Sequence, residues 1–91
     1  MTISSAGRTG SAQVESAIQQ FLEERLKTAV APDLDLFASG TVSSIFAMEL
    51  VVHLEQTFGI VIAGPDLQMD NFRTVHSMTG MVLRLQEPDG A

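Results

Sequence analysis

Gly40-Thr41-Val42-Ser43-Ser44-Ile45-Phe46-Ala47-Met48-Glu49-Leu50-Val51-Val52-His53-Leu54-Glu55-Gln56-Thr57-Phe58-Gly59 is the stretch on which the fold turns. A glycine permits a tight turn, two serines follow, and the run beyond them is apolar and free of Pro and Gly until Gly59. This pattern predicts a helix from Ser43 or Ser44 to about Phe58, with Gly59 as its C-terminal stop. At about 100° per residue its apolar side chains fall into two stripes. Ala47, Leu50, Val51, Leu54 and Phe58 cluster on one side and are assigned to a core. Ile45, Met48 and Val52 lie nearly opposite, bordered by Glu49, Glu55 and Gln56, and either pack inside a bundle or face a partner.

Upstream, Ser11 is a plausible N-cap. Val14, Ile18, Phe21, Leu22, Leu26, Ala29 and Val30 recur after it at the spacing of one helical face. Pro32 is expected to stop that helix, leaving a long connection from Asp33 to Thr41 in which Leu34, Leu36 and Phe37 tuck against the bundle. Downstream, Ile60, Val61 and Ile62 have strand propensity, but no pairing run exists elsewhere, so they read as an extended buried loop. Pro65 to Asp70 suits a short helical turn. Thr74 then caps a last helix in which Val75, Met78, Met81, Val82 and Leu85 repeat at helical spacing. Gly80 weakens that helix by about 1 kcal/mol relative to Ala. Residues 1–10 lack the apolar surface that would offset ordering and read as a flexible lead, 11–86 as one domain, and 87–91, with Pro88 and Gly90, as a flexible tail. The fold class is all-α: four helices with a long first loop and a short third helix.

Composition narrows the function. Ninety-one residues, 45% of them hydrophobic, suffice for one small core and not for two lobes around a cleft. Five Lys and Arg against 11 Asp and Glu give a formal net charge of -6, which opposes nucleic acid and anionic membrane and favours basic protein surfaces. No Cys is present, so any thiol chemistry must be imported. With no apolar run of signal-peptide or membrane-span length, the chain is expected to be soluble, cytoplasmic and monomeric. His53 and His76 lack a spaced ligand set, so no metal site is expected. His53 also lies about two and a half helical turns beyond Ser44, too far to activate it as a nucleophile.

The two serines before the apolar helix are the remaining candidates for chemistry. Unpaired backbone N–H groups at a helix start carry partial positive charge and favour an attached phosphate. A purely structural alternative makes Ser43 an N-cap and Ser44 its neighbour. Both hold together if Ser43 caps while Ser44 carries the group.

Leu36-Phe37-Ala38-Ser39-Gly40-Thr41-Val42-Ser43-Ser44-Ile45, then Glu49-Leu50-Val51 and Leu54-Glu55-Gln56-Thr57-Phe58-Gly59-Ile60, resembles the acyl carrier protein pattern around its modified serine. Asp66-Leu67 and Asn71-Phe72-Arg73-Thr74-Val75 are similar to the third and fourth helical segments of that family, and the likeness runs from about Val14 to Leu85. The resemblance implies a non-catalytic four-helix carrier with covalent 4'-phosphopantetheine on Ser44, the one residue at the modified position. It implies phosphopantetheinyl transferase, acyl-loading and acyl-modifying enzymes and a polyketide synthase acyltransferase as partners. Ser43 departs from the family, which usually has Asp there to engage the transferase and its metal, and Phe46 stands where a polar or small residue is common. These departures resemble discrete carriers of polyketide and antibiotic pathways that bear glycerate-derived hydroxymalonyl or methoxymalonyl units. Ile45, Met48, Glu49, Val52 and Glu55 are the expected partner face, steered by basic enzyme surfaces. The rivals are a housekeeping fatty-acid carrier, with a more acidic second helix, and an unmodified helical interaction module.

Overall fold

A computed structural model describes residues 10–86. The elements in order are α1 (Ser11–Leu26), α2 (Ser44–Phe58), a single 3-10 turn (Gly64–Asp66), α3 (Met69–Phe72) and α4 (Val75–Leu85). Among the described residues there is no strand, and the four helices form an acyl-carrier-type bundle. The expected lead and tail lie outside the described residues, apart from Gly10, which is the N-cap of α1.

Two helices build half of the interior. α1 buries Val14, Ile18 and Leu22, α4 buries Val75, Met78, Thr79, Met81 and Val82, and the two pack on each other. Thr79 fits this apolar layer because its Oγ1 donates to the Val75 carbonyl at 2.8 Å, leaving no orphan donor. α2 buries only Leu50 and Leu54 completely, each contributing about 2 kcal/mol by removal from water. Ala47, Val51 and Phe58, from the same predicted stripe, are half-buried.

Three expectations are corrected at the element boundaries. Ser11 is not the cap of α1 but its first residue; Gly10 is the cap, and its N–H donates to Gln13 Oε1 at 3.0 Å. The helix also stops at Leu26, well before Pro32, because Lys27 turns left-handed (φ 59°) and its N–H donates to the Glu23 carbonyl. Ala29 and Val30 therefore lie in the loop. Val30 is still buried, because two side chains of α1 hold it there: Glu23 Oε2 accepts from its N–H at 2.8 Å and Gln19 Nε2 donates to its carbonyl. Helical spacing thus read its burial correctly and its element wrongly. Pro32 serves another end, its carbonyl accepting from His76 N–H at 3.0 Å and so satisfying an unpaired donor in the first turn of α4. The third correction concerns the short helix. Pro65 sits in the 3-10 turn and the helical turn proper starts later, at Met69, with Asn71 Nδ2 donating back to the Asp66 carbonyl at 2.8 Å.

Candidate functional site

The long loop ends in a chain of turns that delivers Ser44 to the surface. Leu36 is buried and its N–H donates to the Arg73 carbonyl at 2.7 Å, pinning the loop to the segment before α4. Asp35 Oδ1 accepts from the N–H groups of Phe37 and Ala38 at 3.1 and 2.9 Å, closing the next turn. The Ala38 N–H, then the Arg73 guanidinium, hold the Asp35 carboxyl below its ordinary value against the opposing effect of burial. Gly40 adopts φ 76°, and Val42 N–H returns to the Leu36 carbonyl at 2.9 Å with its side chain buried. The chain is then aimed straight into α2.

Three serines lie along this path, and they differ in what their hydroxyls do. Ser39 Oγ donates to the Leu36 carbonyl and shares a hydrogen bond with Thr41 Oγ1 at 2.7 Å. Ser43 is the N-cap, with extended backbone and Oγ accepting from Phe46 N–H at 3.1 Å. Ser44 is the first residue of α2 and exposed, and among the described residues its hydroxyl has no hydrogen-bond partner. The first intrahelical donor is Ala47 N–H, on the Ser43 carbonyl, so the backbone N–H groups of Ser44 and Ile45 point outward at the positive end of the helix. A phosphodiester on Ser44 fits this arrangement.

Beside Ser44 opens an apolar groove of about 330 Å³. Ala47, Met48 and Val51 of α2 form one wall, Phe37 closes the loop end, and Ile62, Leu67, Met69 and Phe72 form the far wall. Sequence periodicity gives no sign of it, because the walls come from three separate segments. The one local signal is the alternation after Gly59, where Ile60 and Ile62 are buried and Val61 points out. Glu55 holds that segment: its Oε2 accepts from Ile62 N–H at 2.8 Å.

Of the predicted partner face, Ile45, Met48 and Val52 are exposed at 79, 68 and 51%. Glu55 is half-buried and turned to the Ile62 amide, a use that helical spacing did not suggest. Glu49 is paired with Arg25 of α1. Arg25 also lies over the rings of Phe21 and Phe46, 5.5 and 5.4 Å from their centroids. His53 stacks on Phe21 at 3.6 Å, and burial, then the charge of Arg25, hold its imidazole below the ordinary value. Among the described residues neither histidine is hydrogen-bonded to Ser44: His53 is engaged with Phe21 and Thr57, and His76 is exposed on α4. Among the described residues no three His, Asp or Glu side chains converge on a metal-sized site. No described helix is long and apolar enough to cross a membrane.

No individual curated protein matches the chain. Residues 13–82, most of the chain, match the family described as the phosphopantetheine attachment site, whose members bear covalent 4'-phosphopantetheine on a serine, are modified by phosphopantetheinyl transferase and carry substrates for other enzymes without catalysing reactions themselves. With a four-helix bundle and a serine-led second helix beside an apolar groove, the chain belongs to the phosphopantetheine attachment site family and is a non-catalytic carrier protein.

Proposed function

We propose that Ser44 is the residue that bears the arm and that the chain is an acyl carrier. One observation carries this reading: of the three serines at the loop end, Ser44 alone presents an exposed hydroxyl without a partner among the described residues, at the mouth of the groove. Once bound, the arm supplies the thiol that this cysteine-free chain lacks. Ser44 Oγ would form the new P–O bond to the pantetheine phosphate of coenzyme A in the cytoplasm, losing its proton as adenosine 3',5'-bisphosphate leaves. Ser43 keeps the first turn of α2 closed, and the outward N–H groups of Ser44 and Ile45 favour the phosphodiester charge. The tether then turns each meeting with a pathway enzyme into delivery of a positioned thioester, which raises effective concentration.

For cargo we propose a polyketide extender unit of hydroxymalonyl or methoxymalonyl type, handed on by a polyketide synthase acyltransferase. Ser43 in place of the usual Asp and the apolar Phe46 support it. A second reading, an apolar acyl chain as in fatty-acid carriers, is favoured by the groove beside Ser44.

Intact mass after incubation with coenzyme A and a broad-specificity phosphopantetheinyl transferase tests the site. The native chain and the Ser43→Ala and Ser39→Ala variants are expected to gain one arm, and Ser44→Ala none. Ser44→Ala should keep its helicity, since Ala suits a helix start of this kind. Modification of Ser44→Ala, or its loss in a folded Ser43→Ala, would show the assignment to be wrong.

A further inference from the structure

Met48 and Val52, exposed apolar residues of α2, belong to one continuous surface, because Met48 lines both the groove beside Ser44 and a second, shallower depression formed with Phe21, Arg25, Glu49, Val52 and His53; Ile45 is exposed at the Ser44 end of the same helix. The charges of this surface are the unexpected part. α2 contains two carboxylates, Glu49 and Glu55, and no Lys or Arg. Glu49 is met by Arg25 from α1, and Glu55 is half-buried with one oxygen on the Ile62 amide. The acidic residues past the groove are matched as well: Asp66 pairs with Arg84 at 2.9 Å, and Asp70 with Arg73 at 2.9 Å. The net negative charge of the molecule is therefore not concentrated where α2 presents its apolar side chains.

We propose that Arg25, by neutralising Glu49, makes the Ile45, Met48 and Val52 face of α2 a docking surface for an enzyme whose matching centre is apolar and uncharged. The proposal rests on Ser44 as the arm-bearing residue, since docking here brings the enzyme to that hydroxyl. Charge complementarity selects the partner. A cationic enzyme surface would meet Arg25 at the edge and gain little from Glu49, whose charge is already answered. An apolar surface removes Met48 and Val52 from water while the paired edge stays in the solvated rim. Arg25 is fixed in this position by the rings of Phe21 and Phe46 beneath it, so its placement does not depend on the ion pair alone.

The transferase reaction supplies the assay, with kcat/KM for arm attachment read by mass on the full chain. Met48→Gln and Val52→Gln should each lower it about tenfold, as truncation of a central apolar contact does. Arg25→Gln should lower it about fivefold, because the Glu49 carboxylate, unanswered at the rim, then sets a bare charge and its water against the edge of the apolar contact. Arg25→Lys should stay within about twofold of the native chain, and the double variant Arg25→Gln, Glu49→Gln should recover, the coupling that a double-mutant cycle isolates. Raising salt from about 50 to about 500 mM should change the native rate less than about threefold, whereas charge-steered docking falls steeply over that range. Circular dichroism and melting temperature confirm that each variant is folded. A faster, more salt-sensitive Arg25→Gln would mean a basic partner and overturn the proposal, as would unchanged rates for Met48→Gln and Val52→Gln. A dimer in sedimentation that Met48→Gln dissolves would assign the face to a second copy, and would overturn it too. Failure of the underlying reading looks different: the native chain gains no arm, or Ser44→Ala gains one.

Discussion

Gly80 stands in the middle of α4, solvent-exposed, with ordinary helical backbone and, apart from its chain neighbours and its own helix backbone, no atom within 4 Å of where a Cβ would sit. It has neither the positive φ nor the close approach that makes glycine necessary. Gly80→Ala should therefore stabilise the domain by about 1 kcal/mol, raising the melting temperature by roughly 4–8 °C. A thermal melt that is unchanged or lower would mean that Gly80 serves a need the helix itself does not show. Lys27 is the opposite case, a residue with a full side chain in the left-handed region that glycine usually fills. Nothing in its identity marks it as a helix stop, which is why the end of α1 was not legible in the sequence. Ser43 and Thr74 were legible as hydroxyls before apolar runs, and both accept from an N–H three residues on, whereas Ser11, in the same pattern, lies one residue inside a helix that Gly10 caps. Arg25 against Glu49 could not be read in advance, since it joins two helices through positions 24 apart.

The long connection between α1 and α2 holds its shape through side-chain to backbone bonds rather than regular structure, and Asp35 is the most heavily used of them. Its carboxylate closes the turn at Phe37 and Ala38 with one oxygen and meets Arg73 at 3.3 Å with the other. A carboxyl whose folded value lies below its unfolded one stabilises the native state fully above the unfolded value and loses that contribution as pH falls through the folded one. The loss should thus begin as pH drops below about 3.8, the ordinary value from which Asp35 is lowered. Asp35→Asn keeps an acceptor for the turn and removes the titration. Its urea midpoint should fall less between pH 6 and pH 3 than that of the native chain; equal falls would mean that Asp35 plays no part in acid unfolding. Spacing foresaw a loop here with buried Leu36, but not its fastening, because hydrogen bonds such as Leu36 to Arg73 depend on where α4 comes to lie. α3 was displaced in the reading for a related reason: a four-residue helix has too few positions to show a period.

Taken whole, the molecule offers its cargo a choice between solvent and the groove beside Ser44. A long alkyl chain gains about 0.8 kcal/mol for each methylene removed from water, enough to favour the groove. A short unit bearing a carboxylate or hydroxyl has no such gain, and burying its charge unpaired costs several kcal/mol. With the proposed extender unit attached, NMR signals of Val51, Ile62, Met69 and Phe72 should stay close to those of the form with the bare arm. Large shifts at these residues with the native cargo would favour the apolar acyl chain instead. The bundle itself was readable from apolar spacing along α1, α2 and α4, whereas the groove was not, being a property of how α2, the Ile60–Ile62 segment and α3 are set side by side. Those two walls are built unequally. One is a continuous 15-residue helix; the other is a loop, a 3-10 turn of 3 residues and a helix of 4. Glu55 hooks the second to the first, its carbonyl accepting from the Ile60 N–H and its carboxylate from the Ile62 amide, so an unbroken jaw faces one assembled from short pieces. A guest too large for the gap would have to strain those bonds first, so the size the carrier tolerates would be a matter of spring rate as much as of volume.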